Sequence, residues 1–93
     1  MATSTLLLAR YEVQDVDRFV AAFDGYEATR REAGATGARL VRSPDAPGTV
    51  IALIDFPDRP AARAFAELPD RLRTLEAAGV RSRTDELCEV IRM

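Results

Sequence analysis

Histidine, tryptophan, asparagine and lysine are all absent from this 93-residue chain, and cysteine occurs once, as Cys88. Each absence removes a class of chemistry. Without histidine there is no imidazole base working near neutral pH and no imidazole metal ligand, and without lysine no Schiff base can form. A lone cysteine cannot close an intrachain disulfide, and with no histidine to activate it Cys88 reads as a small buried hydrophobe, not a nucleophile. Aspartate and glutamate are dispersed with no calcium-loop spacing, and no glycine pattern matches a phosphate- or dinucleotide-binding loop. Neither a metal nor a cofactor is therefore expected. The longest apolar run, Val50 to Ile54, is far short of the roughly 20 residues that cross a bilayer, and no basic-plus-apolar leader opens the chain, so a cytoplasmic protein with no membrane partner is expected.

Excess positive charge is missing too. The formal charge of −2 gives no reason to expect nucleic acid, because there is no surplus of cations to displace its counterions. All thirteen basic residues are arginine and they alternate with acids, the mark of a solvated surface. The sixteen alanines and the choice of arginine over lysine point to GC-rich coding and carry no mechanism.

What is present is a repeated order of elements in a single domain over residues 1–93. Thr5 to Val13 reads as a strand, and Asp15 can cap a helix whose apolar residues Val16, Phe19, Val20, Phe23 and Tyr26 share one face up to Gly34. Ala38 to Ser43 and Thr49 to Asp55 form a hairpin around a turn of Pro44, Asp45, Ala46, Pro47 and Gly48. Asp58 and Pro60 start a second helix, which turns Ala62, Phe65, Ala66, Leu68, Leu72 and Leu75 inward and ends at Gly79. Pro69 should break that helix, with Asp70 recapping the second half. Arg81 to Asp85 reads as a polar connector and Glu86 to Arg92 as the last strand. The order predicts a ferredoxin-like βαββαβ fold of the α+β class, a four-stranded antiparallel sheet with two helices on one face and the first and third strands central.

Those two central strands are apolar on both faces. Leu7, Ala9, Tyr11 and Val13 alternate with Leu6, Leu8, Arg10 and Glu12, and Val50, Ala52, Ile54 and Phe56 alternate with Ile51, Leu53 and Asp55. Two helices about 10 Å wide cover one side of a sheet roughly 19 Å across, which leaves the other side for a second copy of the chain. A homodimer packed sheet to sheet follows as an expectation, with Asp55 pairing Arg10 or Arg39 near the interface. The same strand, TVIALIDF, lacks the spaced aromatics that stack bases on an RNA-binding sheet. Tyr11 on its strand faces the helices and Tyr26 lies on the core-facing stripe of the first helix, as core tyrosines bonded to carbonyls or as the polar tips of an oily ligand cleft.

The runs LLARYEVQDVDRFVAAFDGYEATRREAGATGARLVRS, TVIALIDFPD and AARAFAELPDRLRTLEAAGV together resemble the dimeric α+β barrel superfamily, in particular small proteins of the antibiotic biosynthesis monooxygenase type. The resemblance covers nearly the whole chain. It implies a pocket between sheet and helices, and in the oxygenases of that group an Asn, a Trp and often a His carry the substrate or haem. By approximate alignment those positions fall at Ala9, Phe65 and Leu75, so all three polar functions are replaced and haem degradation is not expected. What the resemblance implies is an aromatic or polyketide-like ligand in a wall of Leu7, Ala9, Phe23, Phe65 and Leu72. A cofactor-independent monooxygenase or a cyclase would use Tyr11 and Tyr26 to orient the substrate and Arg10 or Arg39 to stabilise negative charge. The alternative is a noncatalytic binding or assembly module of the same fold.

Overall fold

The computed structural model describes residues 4–92. Eight elements follow in order: β1 (Thr5–Val13), α1 (Val16–Gly25), α2 (Glu27–Glu32), β2 (Gly37–Val41), β3 (Thr49–Phe56), α3 (Arg59–Ala66), α4 (Pro69–Ala77) and β4 (Val80–Glu89). The sheet order is β2-β3-β1-β4 with every neighbouring pair antiparallel, so β1 and β3 are central as their two-faced apolar pattern requires. Among the described residues no helix is long and apolar enough to cross a membrane.

Residues paired across strands share a face, so register sorts the side chains. Leu7 opposite Ile54, Ala9 opposite Ala52 and Tyr11 opposite Val50 form the floor under the helices. With Phe19, Phe56, Ala62 and Phe65 they make the buried core. Leu6, Leu8, Ile51 and Leu53 occupy the other face, where no element of this chain lies above them, and each is only half-buried. Cys88 is on that face too, opposite Leu6, and is half-buried among strand neighbours. Burial, with the nearby Glu86 charge adding to it, pushes its thiol above the usual range, away from the nucleophilic thiolate.

The elements depart from expectation in four places. The first helix is two helices, broken at Tyr26, which has φ −94° and ψ 3°. Gly25 is a weak helix former at that point. The Phe23 carbonyl released by the break accepts the Tyr26 N–H at 3.2 Å and Arg30 Nη1 at 2.7 Å. Pro69 does split the second helix, but Asp70 does not recap it: the N-cap position is Leu68 with no side-chain bond, and Asp70 stands in the first turn, where its charge suits the helix dipole. Asp15 and Asp58 do cap, accepting the backbone N–H of Arg18 at 3.1 Å and of Ala61 at 2.9 Å. Gly34 at φ 105° and Gly79 at φ 85° end α2 and α4 in the left-handed region.

The third departure is at the C-terminal end. Residues Arg81 to Asp85 are strand, not connector, and β4 ends at Glu89. The run pairs with β1 as an edge strand, and edge strands carry polar and charged residues because only one side is packed. β2 is likewise shorter than expected, ending at Val41.

Candidate functional site

Between the sheet floor and the four helices lies a mostly apolar cleft, walled by Tyr11, Phe23, Tyr26, Arg30, Phe65 and Arg71 among others. Tyr11 comes up from β1 and is 2% exposed, its ring 5.1 Å from Phe19 of α1. Phe65 of α3 stands 6.3 Å from Tyr26 and 5.5 Å from Phe56.

The polar heart of the cleft is Arg71 of α4, only 2% exposed. Its Nη2 donates to the Tyr11 hydroxyl at 2.8 Å and to Asp85 Oδ1 at 3.1 Å, while Nη1 donates to Asp85 Oδ2 at 3.1 Å and to the Ala66 carbonyl at 2.8 Å. The Arg71–Asp85 contact is thus a two-pronged ion pair, and Arg83 reaches the same carboxylate at 3.2 Å. Asp85 can meet Arg71 because it lies opposite Ala9 in register, on the helix-facing side of the sheet. Burial works against the Arg71 charge, but bonding to Asp85 and the Tyr11 oxygen outweighs it and raises its pKa above the ordinary value. Tyr11 accepts from Arg71, so its own hydrogen remains to be donated, and no acceptor for it occurs among the described residues.

Tyr26 works differently. Its hydroxyl donates outward to Asp70 Oδ2 at 2.8 Å. Burial, then the bond to Asp70 and its charge, push its pKa up to about 12, and burial also raises that of Tyr11 despite the opposing pull of Arg71. Neither phenol is a base at neutral pH. Because both folded values lie above the unfolded tyrosine value of about 10, the unfolded state loses its protons first as pH climbs. The stability linked to these groups is complete below pH ~10 and disappears as pH rises through about 12. Phenolate absorbance should stay flat to pH ~10 in the folded protein and then rise together with loss of helical circular dichroism; a tyrosine titrating near pH 9 would contradict the geometry.

Of the side chains singled out in the sequence, Tyr11, Tyr26, Phe23 and Phe65 are brought together on the cleft wall. Leu7 and Ala9 are fully buried in the floor of the core. Leu72 is not part of the wall: it is 37% exposed and lines a separate surface hollow with Glu76 and Arg81. Arg10 and Arg39 are exposed on the opposite side of the sheet, paired with Ile51 and Leu53, so within one chain neither can reach charge developing in the cleft. Asp55 is exposed and forms no ion pair among the described residues. The residues missed were Arg71, Asp85 and Arg30. A signal for Arg71 existed: Leu68, Arg71, Leu75 and Ala78 repeat at helical spacing as well as any stripe through Leu72, but an arginine on an apolar stripe reads as surface.

Neither a protein-family model nor a curated protein matches the sequence. Solved structures do match in fold over nearly the full chain. SnoaB, a cofactor-independent oxygenase from Streptomyces nogalater, superposes with a TM-score of 0.80 at 18% identity, covering 99% of this chain and 97% of that one. A Bordetella bronchiseptica protein provisionally named an antibiotic biosynthesis monooxygenase gives 0.80 at 16% identity over 97% and 99%. Protein SO0527 from Shewanella oneidensis gives 0.72 at 23% identity over 97% and 93%. The chain therefore has the ferredoxin-like α+β fold of these solved structures, several of which are named as antibiotic biosynthesis monooxygenases.

Proposed function

We propose that this chain is a homodimer, paired through the open sheet face, that binds a flat aromatic or polyketide-like molecule in the cleft between sheet and helices and oxygenates it without a cofactor. The observation that carries this reading is the Tyr11 hydroxyl, held by Arg71 at 2.8 Å inside an apolar cleft with its hydrogen free to donate. A phenol polarised by a buried cation is a fixed donor for an oxyanion. No side chain in the cleft can remove a proton near pH 7, so the substrate's own acidic phenol or enol must ionise. Tyr11, backed by Arg71, lowers the cost of that anion. An electron-rich anion of the anthrone kind can reduce dioxygen directly: its methylene carbon keeps one oxygen atom as a ketone, and the other leaves as water with the two methylene hydrogens. The shared fold with a cofactor-independent oxygenase supports this chemistry.

A second reading, a noncatalytic binding or assembly module, is favoured by the packing. The cleft spans about 360 Å³ when its open mouth is counted, but only about 30 Å³ is free for a water-sized occupant. The smaller figure decides what fits as the side chains stand, and small-molecule sites commonly span roughly 300–1,000 Å³. A ligand must therefore displace side chains at the mouth.

Calorimetric titration with anthrone and hydroxyanthraquinones, followed by oxygen-electrode assays, separates the two. Binding with one dioxygen consumed per product, reduced about a hundredfold in Tyr11→Phe with the melting curve intact, is the expected result. Binding without uptake assigns the cleft to a carrier or cyclase, and no binding assigns the chain to the noncatalytic module.

A further inference from the structure

Arg30 is the second buried arginine, 5% exposed, and unlike Arg71 it has no carboxylate on it. Its side chain makes one hydrogen bond among the described residues, from Nη1 to the Phe23 carbonyl, and the guanidinium carbon sits 3.7 Å above the Phe23 ring. The edge formed by Nε and Nη2 carries no partner there. Glu27, one turn away, is engaged by Arg31 at 2.9 Å, and Asp24 is exposed on the rim without an ion pair among the described residues. The Phe23 carbonyl already accepts the Tyr26 N–H, so the helix break does not by itself demand an arginine. No buried side-chain nitrogen among the described residues lacks a partner, so this free edge still meets solvent, and stacking on one ring is the only other support for the charge. Burial lowers its pKa.

Position gives the charge a use. Arg30 and Phe23 wall both the inner cleft and a wider groove of about 750 Å³, which runs between the α1–α2 corner and Thr36, Gly37 and Ala38 at the start of β2. They are the partition between the two spaces. Moving them joins the groove to the cleft and supplies the volume the cleft lacks.

We propose that Arg30 is the anion receptor of this site, its free Nε–Nη2 edge taking the carboxylate of an aromatic acid whose ring enters the cleft past Phe23. The planar fork matches a carboxylate in two parallel hydrogen bonds, a geometry lysine cannot offer. The net charge of the site agrees, because Asp85 neutralises Arg71 and, among the described residues, no carboxylate neutralises Arg30 at contact distance. This inference rests on the cleft being a ligand site, and it narrows the ligand class to aromatic carboxylates.

The test compares 2-naphthol with 3-hydroxy-2-naphthoate, the same ring with and without the acid, by titration calorimetry. The wild-type protein should bind the acid about tenfold tighter or better, with the preference shrinking as salt is raised. Arg30→Gln should bring the two affinities to within about twofold of each other, and Arg30→Lys, which keeps charge but not the fork, should fall between. Equal wild-type affinities for the two compounds would overturn the role of Arg30 while leaving the cleft a ligand site. A lower melting temperature in Arg30→Gln with the preference intact would make Arg30 a helix cap only. If Arg30→Gln does not fold, the wild-type ratio, its salt dependence and Arg30→Lys decide the matter. Failure of both compounds to bind would overturn the ligand-site reading and this inference with it.

Discussion

Asp85→Ala should destabilise the protein by about 3 kcal/mol. The Asp85 carboxylate is 21% exposed and would lose little by facing more water, but Arg71 is almost wholly enclosed and would be left with only the Ala66 carbonyl and the Tyr11 oxygen. An orphaned buried charge, not the lost attraction, sets the cost. Total stability for a domain of this size is about 5–15 kcal/mol, so the variant should unfold well below the wild-type temperature, by more than ~10 °C. The double variant Arg71→Met, Asp85→Leu removes both charges at similar volume and should recover most of the loss. Urea unfolding of Arg71→Met, Asp85→Leu and the double variant, all at one protein concentration, measures the coupling. An Asp85→Ala protein within about 0.5 kcal/mol of wild type would mean that water reaches Arg71 and that the cleft is wet behind Tyr11.

The same pair shows which parts of this molecule its sequence could express. β1 and β3 were legible because each carries apolar residues on both faces, and their central placement followed from the order of elements. β4 was not, because an edge strand packed on one side tolerates Arg81, Ser82, Arg83 and Thr84 in succession, and such a run has the composition of a loop. The cleft aromatics were legible as a helical stripe. Arg71 and Asp85 were hidden for a physical reason: Arg71 is tolerated in the interior because Asp85 meets it, and that dependence spans two elements that composition and periodicity treat separately. Arg30 was hidden for the opposite reason, since its two helix-terminal neighbours Arg31 and Glu27 are indeed surface charges and it looks like one of them.

Leu53→Arg should abolish the proposed dimer and leave a folded monomer near 10.2 kDa. Leu53 of β3 lies opposite Leu8 of β1 and beside Ile51, at the middle of the face that no element of this chain covers. In the monomer these side chains are half-buried by their strand neighbours alone, and Val41 adds an apolar side chain 41% exposed at the β2 edge. Burying leucine and isoleucine side chains fully is worth roughly 1.5–3 kcal/mol each, so this patch would supply the main drive for the proposed pairing, against a fixed cost of association. An arginine at its centre brings a charge from each copy into a dry, two-fold contact, where both would be desolvated and the like charges repel. The cleft lies on the opposite side of the sheet, so folding and side-chain packing around Tyr11 should survive. Light scattering at micromolar concentration reads the mass directly. A concentration-dependent melting temperature in the wild type, lost in Leu53→Arg, would tie stability to the same interface. A wild-type monomer would remove the dimer outright, whereas a Leu53→Arg dimer of unchanged affinity would move the interface to another surface and leave the apolar face of β1 and β3 without an occupant.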